Sequence, residues 1–280
     1  MDTELTGQFT RIFISSFVQI TITAIVIFTA LLVSYYMSRL TYATLTRILG
    51  AKSVIYTTGW IGTPIHETSH LIACWIFRLK VVKFRLFKPD YDAMSLGYVE
   101  YLINKNSVYQ RIGCFFVGIA PLLGGTIAIL GLGWFLLPGF NTLLIDLVNP
   151  TVEEHGYDFT RYAALVGDAC FRSIKVIIDP ANWVTWQFWI FVYTAGSISC
   201  HLTPSRSDLE GIGPGILTLI ALIIVGNTIA TFGGFNAVIY NAHFGNYLGI
   251  VVSLLGITLG IGLVIFFLLY LIAIPIRIMR

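Results

Sequence analysis

The chain has 280 residues, of which 56% are hydrophobic and only 11% charged. A soluble domain carries roughly a quarter charged residues because its surface faces water, so this composition excludes an ordinary water-soluble fold and makes lipid the natural solvent. The net charge of +3, from 17 Lys and Arg against 14 Asp and Glu, is too small to argue for nucleic acid as a partner.

The N-terminal stretch, residues 1–11, contains Asp2 and Glu4 and lacks the basic start of a signal peptide. The apolar run behind it is also too long for one, which predicts a retained membrane helix. Crossing the hydrocarbon takes about 20 mostly apolar residues. Six windows qualify: residues 12–36, 54–77, 111–137, 183–202, 212–232 and 247–274. The expected fold is therefore an all-α membrane protein of about six transmembrane helices.

Between the second and third windows the pattern changes. VVKFRLF (81–87) alternates apolar and polar side chains, and LGYVEYLI (96–103) does so again after the turn-forming stretch KPDYDAMS (88–95). That predicts a small membrane-associated β-hairpin. Residues 138–182 hold six Asp or Glu against three Lys or Arg and read as an acidic extramembrane loop with room for a short helix. With the N-terminus inside, 11 of the 17 cations lie on the inner side, including seven from Arg78 to Arg111. The positive-inside rule then predicts cytoplasmic termini. Trp183, Trp186 and Trp189 fit an interfacial belt at the start of the fourth window. Cys74, Cys114, Cys170 and Cys200 show no paired spacing and read as free buried thiols.

The second window carries the chemistry: GWIGTPIHETSHLIACWIF. His66 and His70 are four apart, so on a helix they project from one face about one turn apart. Glu67 stands beside them. Two imidazoles at this spacing can hold Zn²⁺, and the adjacent carboxylate can take a proton from a water there. Ionisable side chains are costly in hydrocarbon, so within a membrane helix such a cluster is read as functional. A tetrahedral zinc site needs a third protein ligand and one open position. The candidates follow the fourth window, in SCHLTPSRSDLEGIGPG, with Asp208 the first choice and His201 and Glu210 the competitors. Gly59 and Gly62, ahead of the histidines, read as small residues for close helix packing. His155 and His243 have no partners at ligand spacing.

These motifs resemble the site-2 protease group (M50-type) of intramembrane zinc metallopeptidases. His66-Glu67-Thr68-Ser69-His70 matches the H-E-x-x-H of its first core helix. Gly118-Ile119-Ala120-Pro121 is a loose match to the Gly-Pro motif of its second. Residues from His201 through Pro204 to Asp208 correspond to the third-helix Asn-x-x-Pro…Asp-Gly motif. Departures are His201 in place of Asn, a spacing from Pro204 to Asp208 one residue short, Leu209 after the Asp, and Gly124 where an Asn follows the Gly-Pro motif. The resemblance implies one zinc per chain on His66, His70 and Asp208, with Glu67 as the catalytic base.

The expected organisation is an accessory N-terminal helix and loop (1–53), a metallopeptidase core (54–211) and accessory C-terminal helices (212–280). The expected activity is hydrolysis of a peptide bond in or near a transmembrane segment of a membrane protein or peptide substrate. Multi-pass placement in the plasma membrane of a prokaryote follows from the compact size. Two other classes make different predictions: a non-proteolytic membrane zinc-binding regulator has no need of Glu67, and an ion-coupled transporter predicts inverted repeats.

Overall fold

The computed structural model describes residues 2–89, 96–148, 159–210, 212–233 and 237–278. Residues 90–95 of the expected turn (88–95), His155 and Gly211 lie outside the described residues. The elements in chain order are α1 (Asp2–Leu49), α2 (Ala51–Ile76), β1 (Lys80–Arg85), β2 (Tyr98–Leu102), α3 (Val108–Leu136), α4 (Phe140–Val148), α5 (Phe159–Ile178), α6 (Pro180–Trp183), α7 (Trp186–Cys200), α8 (Arg206–Glu210), α9 (Gly213–Phe232) and α10 (Ala237–Ile278).

Local chemistry sets several of these boundaries. The break between α1 and α2 falls at Gly50, whose φ of 82° lies in the left-handed region that favours glycine. Ser107 caps α3 by accepting from the Gln110 N–H, and Asp179 caps α6 ahead of Pro180 at the first helical position. Thr185 caps α7, and Pro204 stops the chain from continuing that helix.

Among the described residues, four stretches are long and apolar enough to cross a membrane: Leu5–Leu49, Val108–Leu136, Gly213–Phe232 and Tyr247–Leu271. Phe13, Phe17, Phe28, Phe135, Leu217 and Ile229 stand exposed on three of them, a density of bare apolar surface that lipid rather than water must cover. These features are those of an integral membrane protein. The helices matching the second and fourth predicted windows are α2 and α7. α7 has only 15 residues, a length of about 22 Å, and α2 is diluted by its Thr, Ser, His and Glu side chains.

Leu122, Ile129 and Leu130 of α3, Phe188, Phe191 and Ile198 of α7, and Ile257 and Ile261 of α10 form the main core. The stretch expected as an acidic loop contributes to it. Its helix α5 has 20 residues, longer than the short helix anticipated, and buries Ala169 and Ile177 against α10. Close approach is possible because Gly260 of α10 has no side chain: a Cβ there would lie 2.8 Å from Ser173 Oγ. Cys170 Sγ donates to the Gly256 carbonyl at 3.0 Å. The charges that suggested a loop, Asp168, Arg172 and Lys175, occupy the opposite, more exposed face, with Arg172 and Asp168 paired at 2.8 Å.

β1 and β2 pair antiparallel, from Lys80 opposite Leu102 to Arg85 opposite Tyr98, with an irregularity between Val81 and Lys83. Val81, Val99 and Tyr101 pack on Ala73 and Cys74 of α2 and on Val117 and Ala120 of α3. Further along the sheet, Phe87 and Leu96 lie against Gly59. The hairpin, with the residues that extend its strands, therefore runs back alongside α2 over about 22 Å, the rise of the fifteen steps from Gly59 to Cys74. Gly59 admits the sheet, while Gly62 admits α7: a Cβ at Gly62 would collide with the His201 ring and the Ser197 carbonyl. Of the two glycines expected to pack helices, only Gly62 does so.

Candidate metal centre

α2 and α7 run side by side in the same direction, with Tyr193 Oη donating to the Thr57 carbonyl at 2.6 Å near the start of the contact. α7 ends level with His66, and the chain then turns through residues 201–205 into the single-turn helix α8. His66 and His70 lie about 15 and 9 Å short of the C-terminal end of α2 at 1.5 Å per residue.

His66 Nε2 and His70 Nε2 stand 3.3 Å apart. Asp208 Oδ2 is 3.5 Å from the first, and Asp208 Oδ1 is 3.3 Å from the second. These three residues form a group whose donor atoms could hold a metal ion. Donors at the corners of a tetrahedron, each 2.0–2.1 Å from a zinc ion, are separated by about 3.3 to 3.4 Å. The observed triangle fits that spacing. Two imidazoles also favour zinc and its transition-metal neighbours over calcium or magnesium, which select oxygen.

The opposite ring nitrogens fix the orientation. His66 Nδ1 donates to the His201 carbonyl at 2.7 Å, and His70 Nδ1 donates to the Val117 carbonyl at 2.8 Å. A carbonyl can only accept, so the proton sits on Nδ1 in each neutral ring and the Nε2 lone pairs face each other and the carboxylate. Such hydrogen bonds are the usual means of orienting imidazole ligands. Three acceptors converging on one point make an arrangement that a cation completes.

Of the three candidates for the third ligand, only Asp208 is brought to the imidazoles. The His201 ring turns away to Thr58 Oγ1 at 3.2 Å, in the slot left by Gly62, and contributes its backbone carbonyl instead. Glu210 is exposed and outside the group. Cys74, on the same face as His70, is fully buried among apolar side chains and is also outside it. The position of Gly124 meets Ser69 of α2 and does not line the cavity described below.

Asp208 is held by a reciprocal cap that the sequence reading missed. The Ser205 N–H donates to Asp208 Oδ2 at 2.6 Å, and the Asp208 N–H donates to Ser205 Oγ at 3.3 Å. This is a capping box with Asp in the usual Glu position, and Ser205-Arg206-Ser207-Asp208 carries its S-x-x-D signature in plain view. Ser205→Ala should therefore weaken binding of a metal ion at this group by about fivefold to tenfold, the loss of one N-cap contact of about 1 kcal/mol. Chelator competition on the purified protein checks this.

Glu67 is 7% exposed and lies beside β2, where a Cβ on Gly97 would stand 2.8 Å from Glu67 Cγ. Together with His66, His70 and Asp208 it opens onto a cavity of ≈ 480 Å³. That volume falls within the range of small-molecule and peptide-side-chain sites. The far wall is Leu96, Gly97, Tyr98 and Val99. Consecutive strand residues point to opposite faces, so a cavity touching both Tyr98 and Val99 meets the edge of β2. No family model, curated protein or solved structure matches the chain.

Proposed function

We propose that the chain is an intramembrane zinc-dependent endopeptidase of the site-2 protease type, with His66, His70 and Asp208 as zinc ligands and Glu67 as general base. The observation that carries this reading is the triangle of two Nε2 atoms and one carboxylate at tetrahedral spacing, with Glu67 at its side. In this reading α2 and α7 are also membrane passes, six in all, with both termini cytoplasmic and the protein in the plasma membrane of a prokaryote. Their polar side chains are sheltered by α3, by the sheet and by each other, which is the setting in which irregular backbone is tolerated at membrane depth.

A bound zinc ion supplies Lewis-acid polarisation of a peptide carbonyl and makes water a stronger nucleophile at neutral pH. Glu67 takes one proton from the attacking water as its oxygen bonds to the carbonyl carbon. The same carboxyl then gives that proton to the departing amine as the C–N bond breaks. Asp208 and the two imidazoles stay fixed through their carbonyl and capping-box hydrogen bonds. A peptide bond inside a helix is shielded, so the substrate must be held extended. The edge of β2 at Tyr98 and Val99, which line the cavity, can pair with such a segment by strand addition.

Metal analysis of the purified protein tests this. About one zinc per chain is expected for wild type and for His201→Ala, and none for His66→Ala or Asp208→Ala, as loss of a tetrahedral ligand predicts. Zinc retained in Asp208→Ala would move the third ligand elsewhere. Zinc absent from every preparation after reconstitution would remove the metallopeptidase reading altogether.

A further inference from the structure

α3 carries a proline, Pro121, within its interior. In an α-helix each carbonyl accepts from the N–H four residues later, and proline has no N–H to give. The carbonyl deprived of its donor is that of Val117. It is the same carbonyl that accepts from His70 Nδ1 at 2.8 Å. Val117 is 2% exposed, so water has little access to that oxygen, and an unpaired buried carbonyl is costly. On the other side of the site His66 uses an equivalent device. Its Nδ1 donates to the carbonyl of His201, the C-cap of α7, one of the terminal carbonyls that an α-helix leaves without a donor. Both imidazoles are thus oriented by backbone acceptors that helix bonding has left free.

We propose that Pro121 is a positioning residue for His70: by withholding an N–H it reserves the Val117 carbonyl for the imidazole. That bond fixes the proton on Nδ1 and aims the Nε2 lone pair at His66 and Asp208. An amide at position 121 would compete for the same oxygen. Its helical bond to Val117 would release the His70 ring to flip or to exchange tautomers. The inference rests on the metal-site reading above for its consequence, but the hydrogen bond at its centre can be observed without metal.

Two variants of the full-length protein separate the missing N–H from the shape of the proline ring. Pro121→Ala restores the amide in a residue that suits a helix better than proline does. The ester analogue of that alanine, installed as lactic acid, lacks both the ring and the N–H. Zinc affinity is read by competition with a chromophoric chelator. ¹⁵N-histidine NMR of the metal-free protein reads the His70 tautomer. The expected result is zinc bound about 10- to 100-fold more weakly by Pro121→Ala, the range for loss of an outer-shell partner, with the ester back within about threefold of wild type. The NMR should show His70 protonated at Nδ1 in wild type and ester, and a tautomer mixture in Pro121→Ala. Wild-type affinity in Pro121→Ala would overturn the proposal. Equal weakening in both variants would overturn it as well, because ring packing would then be the cause. A wild type that binds no zinc would defeat the metal reading separately. The NMR would still decide this one, with an unchanged tautomer in Pro121→Ala counting against it.

Discussion

Glu67→Gln should lower peptide hydrolysis by about 10²- to 10⁴-fold, the usual contribution of a positioned general base, while zinc stays at about one per chain. The amide has the size of the carboxyl, so the 7% exposed site beside Gly97 keeps its packing, and only the ability to take a proton is removed. Among the described residues, no second carboxylate is free to replace it. Asp208, the other carboxylate lining the cavity, lies at the two imidazoles, and Glu210 is exposed outside the group. The assay follows cleavage of a pool of synthetic membrane-segment peptides by mass spectrometry, with wild type and variant reconstituted in parallel and metal content measured on the same samples. Full cleavage by Glu67→Gln would show that another group moves the proton. Zinc in both proteins with cleavage by neither would favour a binding or regulatory protein over a protease.

The parts of this molecule that could be read from the sequence are those whose signals are local. His66, Glu67 and His70 sit within one and a half turns of one helix, so spacing alone places both imidazoles on the same face. The alternation on both sides of residues 88–95 marks a two-stranded element because period two and period 3.6 are distinct, and β1 and β2 fall where that alternation lies. Asp208 ranks first among Asp208, His201 and Glu210 in the sequence, but spacing alone cannot place it, since the orientation of α8 depends on what packs against it. His201 shows how little a residue type decides. It has the right chemistry for a ligand, yet its ring is drawn to Thr58 and its carbonyl does the useful work.

α5 failed to announce itself for a different reason. Its charges are real, but they line one face, while Ala169, Ser173 and Ile177 line the other. Average composition over residues 138–182 hides that division, which appears only at helical period. The complementary signal lay far away in the chain, at Gly260 of α10, whose missing side chain lets α5 come close. Pro121 was visible as part of a loose motif. Its consequence for His70 required knowing that Val117 faces α2, a tertiary fact with no sequence periodicity to report it.

Gly118→Val should cost zinc affinity by 100-fold or more, through a residue that touches no ligand side chain. A Cβ at position 118 would stand 2.7 Å from the Asp208 carbonyl oxygen and would collide with the Ile212 side chain. Neither neighbour can yield freely. Ile212 is buried with Phe115 and Ile119, and α8 is a single turn pinned at its start by the Ser205 capping box. The added methyl groups must therefore push α8 off α3. Metal ligands tolerate displacements of only a few tenths of an ångström, so a shift that costs the fold about 1 to 3 kcal/mol, as overpacking typically does, removes a ligand from the site. Gly131→Val on the same helix is the control, because a Cβ there meets nothing within 4 Å. Chelator competition and thermal unfolding on the two variants separate the effects. Gly118→Val should remain folded and lose zinc, whereas Gly131→Val should do neither. Equal zinc affinity in the two would mean that α3 does not set the position of α8, and that Asp208 reaches the imidazoles by virtue of the 201–208 turn alone.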